Sequence, residues 1–194
     1  MILTDTEHTS ETLSNLPHEL AYGFGKSSLG DFIVATDAGE ICAIMLGDDR
    51  GDLLDQLRAS FPGDTFLLGG QYGYYDIVED AVARLIEDPT THFAFSIAVP
   101  GGDFANMTRA ALNATPPGAT ITPDEVAARI GASPGSSRFV RACAATDLVA
   151  VAVPFHRLQE ADGANPSYRW GEERRQTLLA RERAGAAARD ASSI

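Results

Sequence analysis

From Leu20 onward, apolar and polar side chains alternate with a period near two. The segments LAYGFGK, DFIVAT and EICAIMLG carry this pattern to Leu46 and are separated by the turn signals SSLG and DAGE, which predicts a small antiparallel sheet of three strands. The period then changes. In DDRGDLLDQLRASF, Leu53, Leu54, Leu57 and Phe61 recur at helical spacing behind Asp52, placed as an N-cap, and Pro62-Gly63 ends the helix. A second helix is predicted over Tyr75 to Ile86 with Ile77, Val78, Val82 and Ile86 on one face, and FAFSIAV at 93–99 reads as a further strand. Residues 1–18 lack periodicity and read as a flexible leader.

A Pro-Gly-Gly run at 100–102 marks the change to helical patterning. Phe104, Met107, Ala111 and Leu112 outline an amphipathic helix that ends at Pro116-Pro117-Gly118. Thr122-Pro123-Asp124-Glu125 then places Thr at the N-cap, Pro at the first helical position and Glu three residues after the cap, the signature of a capping box. This helix runs through Val126, Ala127 and Ile130, breaks at Gly131, and is followed by another from Ser136 to Ala145. Two helices joined by a short Gly-containing turn, the second bearing Arg138 and Arg141, have the outline of a helix-turn-helix. An αα-hairpin that binds nothing has the same outline. Farther on, LVAVAVP at 148–154 is an apolar, buried-looking segment that delivers Phe155-His156-Arg157, EADGANPSYRWG is turn-rich, and GEERRQTLLARERA is a last helix with Leu178 and Leu179 inward. The expected organisation is a leader (1–18), a sheet subdomain (19–100), a mainly helical domain (101–184) and a flexible Ala-rich tail (185–194).

Charge sharpens the division. The chain of 194 residues carries a net charge of −12, yet residues 1–100 hold 4 basic against 17 acidic side chains, whereas residues 101–194 hold 11 basic against 10 acidic. All basic residues of the second half are arginines, and Lys26 is the chain's only lysine, so its cations suit planar contacts to phosphate or carboxylate. So acidic a chain is a poor non-specific nucleic-acid binder, and any contact with DNA must be local. No apolar run is long enough to span a membrane and the N-terminal residues do not resemble a secretion signal, which makes a cytoplasmic protein with no membrane association the expectation. Cys42 and Cys143, a hundred residues apart, suggest free thiols and neither a disulfide framework nor a structural metal.

The run from Ser137 to Glu182 resembles the O6-alkylguanine-DNA alkyltransferases, the methylated-DNA–protein-cysteine methyltransferases, and in particular the C-terminal domain of the Ada-type proteins. PFHR at 154–157 stands where the family has Pro-Cys-His-Arg, YRWG at 168–171 matches the loop over its base pocket, and LLARE at 178–182 matches its terminal helix. GFGKSSLGDFIVAT and GEICAIMLGDD resemble the Ada-type N-terminal subdomain, so the resemblance covers about residues 19–184. It implies an α/β fold, with a small RNase H-like sheet subdomain and a mainly helical DNA-binding domain containing the helix-turn-helix. It also implies roles: His156 and Glu182 as the histidine that relays the acceptor's proton and the glutamate that orients it, and Arg138 as the arginine that fills the space of a flipped nucleotide. Thr122, Pro123 and Arg141 fall on the DNA-facing segments. Pro154, Phe155, His156, Arg157, Asp147, Tyr168 and Trp170 fall around the base pocket, and His156 and Glu182 are expected within hydrogen-bonding range.

The departures from the family pattern bear most on function. The acceptor cysteine is replaced by Phe155, whose phenyl ring has no lone pair to attack an alkyl carbon. Pro123 stands in place of a tyrosine, Asp147 in place of an asparagine and Arg109 in place of a tryptophan. Cys143, 12 residues upstream of Phe155, is the alternative nucleophile. The expected function is that of a non-catalytic alkyltransferase-like protein: a monomer without metal or cofactor that binds double-stranded DNA, recognises O6-alkylguanine by base flipping, and engages repair or regulatory proteins. The alternative is a degenerate domain that has left DNA and serves as a protein-interaction module.

Overall fold

The structure, a computed structural model, describes residues 19–61, 66–69, 74–99, 101–162 and 168–192. The leader, Pro62-Gly63 and the centre of the loop before Tyr168 lie outside the described residues. The fold is α/β. Strands β1 (Glu19–Ser27), β2 (Gly30–Asp37) and β3 (Glu40–Gly47) form an antiparallel meander. Strand β4 (Phe66–Gly69) adds to β1 in parallel after the crossover helix α1 (Arg50–Ser60), giving the order β3-β2-β1-β4. The β2–β3 hairpin closes in two residues, Ala38 and Gly39, both at positive φ (49° and 86°), the geometry whose twist matches the flanking strands. Phe32–Thr36 and Ile41–Leu46 are buried without interruption, so β2 and β3 are covered on both faces.

Several local expectations are corrected. Helix α1 is capped by Asp49, whose extended backbone lets its carboxylate accept the N–H of Asp52 (3.0 Å), and Asp52 lies in the first turn. On α2 (Tyr74–Glu87) the buried face is Tyr75, Val78, Val82, Leu85 and Ile86, leaving Ile77 61% exposed. Residues 93–99 alternate partly buried and exposed side chains as a strand would, yet among the described residues only Ile97 pairs, bridging Ile41 on the edge of β3. On α3 (Asp103–Asn113) Thr108, Ala111 and Leu112 point inward and Met107 stands out. The Thr108 hydroxyl is accommodated by donating to Phe104 O (2.8 Å).

The hairpin is formed by α4 (Pro123–Arg129) and α5 (Ser137–Thr146). The capping box is complete: Thr122 Oγ1 accepts from Glu125 N–H (3.1 Å), and the Glu125 carboxylate accepts from Thr122 N–H (2.7 Å). The last helix, α6 (Glu172–Ser192), runs eight residues past the expected end at Ala184, through an Ala-rich segment of high helix propensity. It also ties the two halves together. Arg174 donates to Leu29 O (2.8 Å) and pairs with Asp48, while Arg181 donates to Ile86 O (2.6 Å) and pairs with Glu87 (3.1 Å). Among the described residues no helix is long and apolar enough to cross a membrane.

Candidate functional site

The segment 148–158 is held at both ends by backbone pairing. Ile44 N–H donates to Leu148 O and Ala150 N–H to Ile44 O (both 2.8 Å), so the free edge of β3 carries the start of the segment. Its end is held by Ile121, whose N–H donates to Arg157 O (3.0 Å) and whose carbonyl accepts from Gln159 N–H (3.1 Å). Between these anchors Val151 adopts φ 66°, a conformation that a β-branched residue rarely takes and that persists only where its surroundings enforce it. The chain then turns into a short 3-10 helix, Phe155–Arg157, in which all three side chains are buried.

Beneath this turn lies a polar network centred on Glu182 of α6, which has no exposed surface. Its Oε1 is 2.8 Å from His156 Nε2 and 2.8 Å from an Arg157 guanidinium nitrogen, Arg157 Nε reaches both oxygens (3.0 and 3.2 Å), and Gly118 N–H donates to Oε2 (2.7 Å). Arg157 also donates to the carbonyl of Thr115. Burial opposes ionisation of Glu182, but the bonds from His156, Arg157 and Gly118 prevail and bring its carboxyl down to about 2. Burial shifts His156 downward, against the pull of Glu182. In the neutral ring, Nε2–H donates to the carboxylate and Nδ1 keeps a free lone pair. Nδ1 is buried and has no partner among the described residues.

Asp147, at the end of α5, is only 3% exposed. Its Oδ2 accepts from Val149 N–H (3.1 Å), while Oδ1 has no hydrogen-bond partner among the described residues. Burial pushes its carboxyl up to about 7, although the Val149 bond and the charges of Arg109 and Arg169 pull the other way. Burial, with the Asp147 charge second, likewise raises the buried Tyr168 hydroxyl, whose ring stands edge-on to His156 at 6.3 Å.

The other site residues are dispersed. Phe155 is 4% exposed and belongs to the hydrophobic core. Pro154 and Arg157 border a groove with Leu85, Phe93, Asn113 and Val151, whereas Trp170 borders another with Leu29, Gly30 and Asp48. Arg157, 6% exposed, is thus largely internal. Arg141 is bound in a two-pronged pair with Glu160 (2.5 and 2.6 Å), and Pro123 is buried behind the Thr122 cap. Arg138 is exposed, its guanidinium 4.7 Å from the centre of the Phe139 ring. Both thiols are raised by burial, Cys42 to about 12 and half-buried Cys143 upward, which disfavours the reactive thiolate. One participant has no sequence signal for its role, the Gly118 N–H that completes the Glu182 shell.

The architecture matches solved alkyltransferases. An O6-methylguanine methyltransferase of Mycobacterium tuberculosis, described as OGT in complex with DNA, superposes with a TM-score of 0.68 at 24% identity over 84% of this chain and 93% of that one. The O6-methylguanine-DNA methyltransferase of the archaeon Pyrococcus kodakaraensis gives 0.60 at 18% identity, covering 84% and 98%. The fold is thus that of the O6-methylguanine methyltransferases. Residues 103–184 match the family described as "6-O-methylguanine DNA methyltransferase, DNA binding domain". The bifunctional transcriptional activator/DNA repair enzyme Ada of Escherichia coli (strain K12) is 32% identical over 161 residues, 83% of this chain and 45% of that protein. A methylated-DNA–protein-cysteine methyltransferase of Mycolicibacterium paratuberculosis is 38% identical over 93 residues, 48% of this chain and 56% of that protein. Residues 103–184 of this chain thus belong to the O6-methylguanine methyltransferase family, and the chain spans about half the length of the curated relatives it matches.

Proposed function

We propose that this chain is a non-catalytic, alkyltransferase-like DNA-binding protein that recognises O6-alkylguanine and acts in the repair of, or response to, DNA alkylation damage. Residues 101–184 form the DNA-binding part and residues 19–100 the supporting subdomain. The observation that carries this reading is Phe155, buried in the Pro-Phe-His-Arg turn above an otherwise complete His156–Glu182–Arg157 network. A phenyl ring cannot accept an alkyl group by nucleophilic attack, and with Cys143 shifted toward the thiol by burial no activated nucleophile replaces it. What remains is recognition: Arg138 would hold the space of an extruded nucleotide, with Tyr168 and Asp147 near the flipped base.

Fluorescence anisotropy with two matched duplexes, one containing guanine and the other O6-methylguanine, tests this directly. The expected result is tighter binding to the lesion, with the protein's intact mass unchanged after incubation. Equal affinity for both duplexes, or a methyl adduct on Cys143, contradicts it. One observation favours the alternative of a protein-interaction module. Arg141 is committed to Glu160 and Arg157 is internal, which leaves Arg138 to act with little cationic support. Binding to neither duplex would decide for that alternative.

A further inference from the structure

Phe139 has no part in the reading above, yet it is among the least expected side chains of the molecule. Among the described residues, the exposed large hydrophobics are Ile77, Met107 and Phe139, and Phe139 is 48% exposed although it follows Arg138 on α5. It is also held in place. Phe104 of α3 meets its ring edge-on at 5.9 Å, and the Arg138 guanidinium covers it at 4.7 Å. Met107, one turn beyond Phe104 and 44% exposed, extends the apolar surface.

The surrounding charge indicates what this surface meets. Residues 126–146 hold three arginines (Arg129, Arg138 and Arg141) and no acidic residue, in a chain with 27 Asp and Glu. Arg138 takes part in no ion pair among the described residues. An aromatic ring beside an unpaired guanidinium, on an acid-free helix of an acidic protein, suits a partner that offers both π-faces and phosphates. Aromatic side chains on DNA-facing elements stack on bases or wedge between base steps, with modest dependence on sequence.

We propose that Phe139 is a base-stacking wedge for duplex DNA, which leaves the Arg138 guanidinium on binding and stacks on a base at the step that Arg138 enters. The inference rests on the DNA-binding reading and adds to it a second contact, apolar and independent of salt. The pairing with Arg138 covers one face of the ring in the free protein, and Phe104 meets its edge.

The test is the affinity of the full chain and of Phe139→Ala, Phe139→Leu and Arg138→Ala for one labelled duplex across a range of salt concentrations. Loss of a stacked base weakens binding by about tenfold or more in Phe139→Ala, and Phe139→Leu, which keeps the apolar bulk without the π-face, recovers only part of it. Because no phosphate contact is lost, the salt dependence of Phe139→Ala stays that of the parent, whereas Arg138→Ala lowers the slope by about one. A 2-aminopurine at the bound step reports the stacking as a fluorescence change that Phe139→Ala abolishes. If the parent binds and Phe139→Ala binds within about twofold of it, the wedge is overturned and the DNA reading stands. If the parent binds no duplex, both fall. A parent that dimerises through this face, shown by sedimentation and lost in Phe139→Ala, also overturns the wedge. Phe139→Leu guards against a folding artefact, since at a half-exposed position it preserves most of the packing on Phe104.

Discussion

Glu182 and Asp147 are both buried carboxyls of the helical half, and they ionise in opposite ways. Glu182 loses all contact with solvent but receives His156, both prongs of Arg157 and the Gly118 N–H, and it stays charged far below the usual carboxylate range. Asp147 is hardly more exposed but is held by backbone N–H groups, foremost that of Val149, has Arg109 and Arg169 only as more distant charges, and is pushed up to about 7. Partners, more than depth, decide which charge an interior tolerates. Set beside the motifs that the sequence resembles, His156, Arg157 and Glu182 fall on expected positions, and Asp147 and Phe155 on the departures.

The comparison breaks most severely at Glu182. Glu182→Gln leaves the Arg157 guanidinium buried without its counter-charge, a loss of about 3–5 kcal/mol for a broken buried pair. Urea unfolding at pH 7 measures it, and a loss below about 1 kcal/mol, the worth of a surface pair, contradicts a stabilising network. The pH dependence has a definite sign. An ordinary glutamate titrates near 4.3 and this one near 2, so its contribution is complete above about pH 4 and is lost as pH falls through about 2.

Asp147 has the opposite sign. Its folded value of about 7 lies above the ordinary aspartate value near 3.9, so the neutral form stabilises the fold fully below about pH 4, and that contribution is lost as pH rises through about 7. Asp147→Asn should therefore leave stability at pH 4 nearly unchanged and raise it at pH 8, by up to about 4 kcal/mol. Parallel stability curves for parent and variant across pH 4–8 contradict the assignment. The smallest effect sharpens the comparison at a backbone donor. Gly118 has φ 78°, and a Cβ there would come within 2.8 Å of the Arg183 side chain and 3.1 Å of its backbone. Gly118→Ala should cost about 1–2 kcal/mol, read as a lower thermal midpoint, and should raise the pH at which acid unfolding begins as the Glu182 shell loosens.

Much of the fold was legible because its signals are local. The alternating runs of β1 to β3, the capping box at Thr122 and the Gly131 break all depend on neighbours in sequence, and the structure contains each. Expectations failed where tertiary partners decide. Residues 93–99 alternate like a strand, but β3 offers that segment one bridge because its edge is shared with Leu148–Ala150. Ile77 and Met107 sit at helical spacing next to a buried face without belonging to it. At the site, the His156–Glu182 contact was expected only from the resemblance of PFHR and LLARE to the family motifs, and the structure holds the two side chains 2.8 Å apart. The commitment of Arg141 to Glu160 and the internal place of Arg157 were not legible, because a charge count does not say which arginine finds a carboxylate.

The central proposal is that the alkyl-transfer chemistry is missing at one side chain, Phe155, above an intact His156–Glu182–Arg157 network. Phe155→Cys tests it most directly, by intact-mass measurement after incubation with O6-methylguanine duplex. The substitution removes a buried ring and should cost roughly 3 kcal/mol of stability, so folding of the variant is checked by circular dichroism first. A folded variant that gains one methyl group at residue 155, while the parent gains none, is the expected result. A folded variant that binds the lesion and gains no methyl group would contradict the claim.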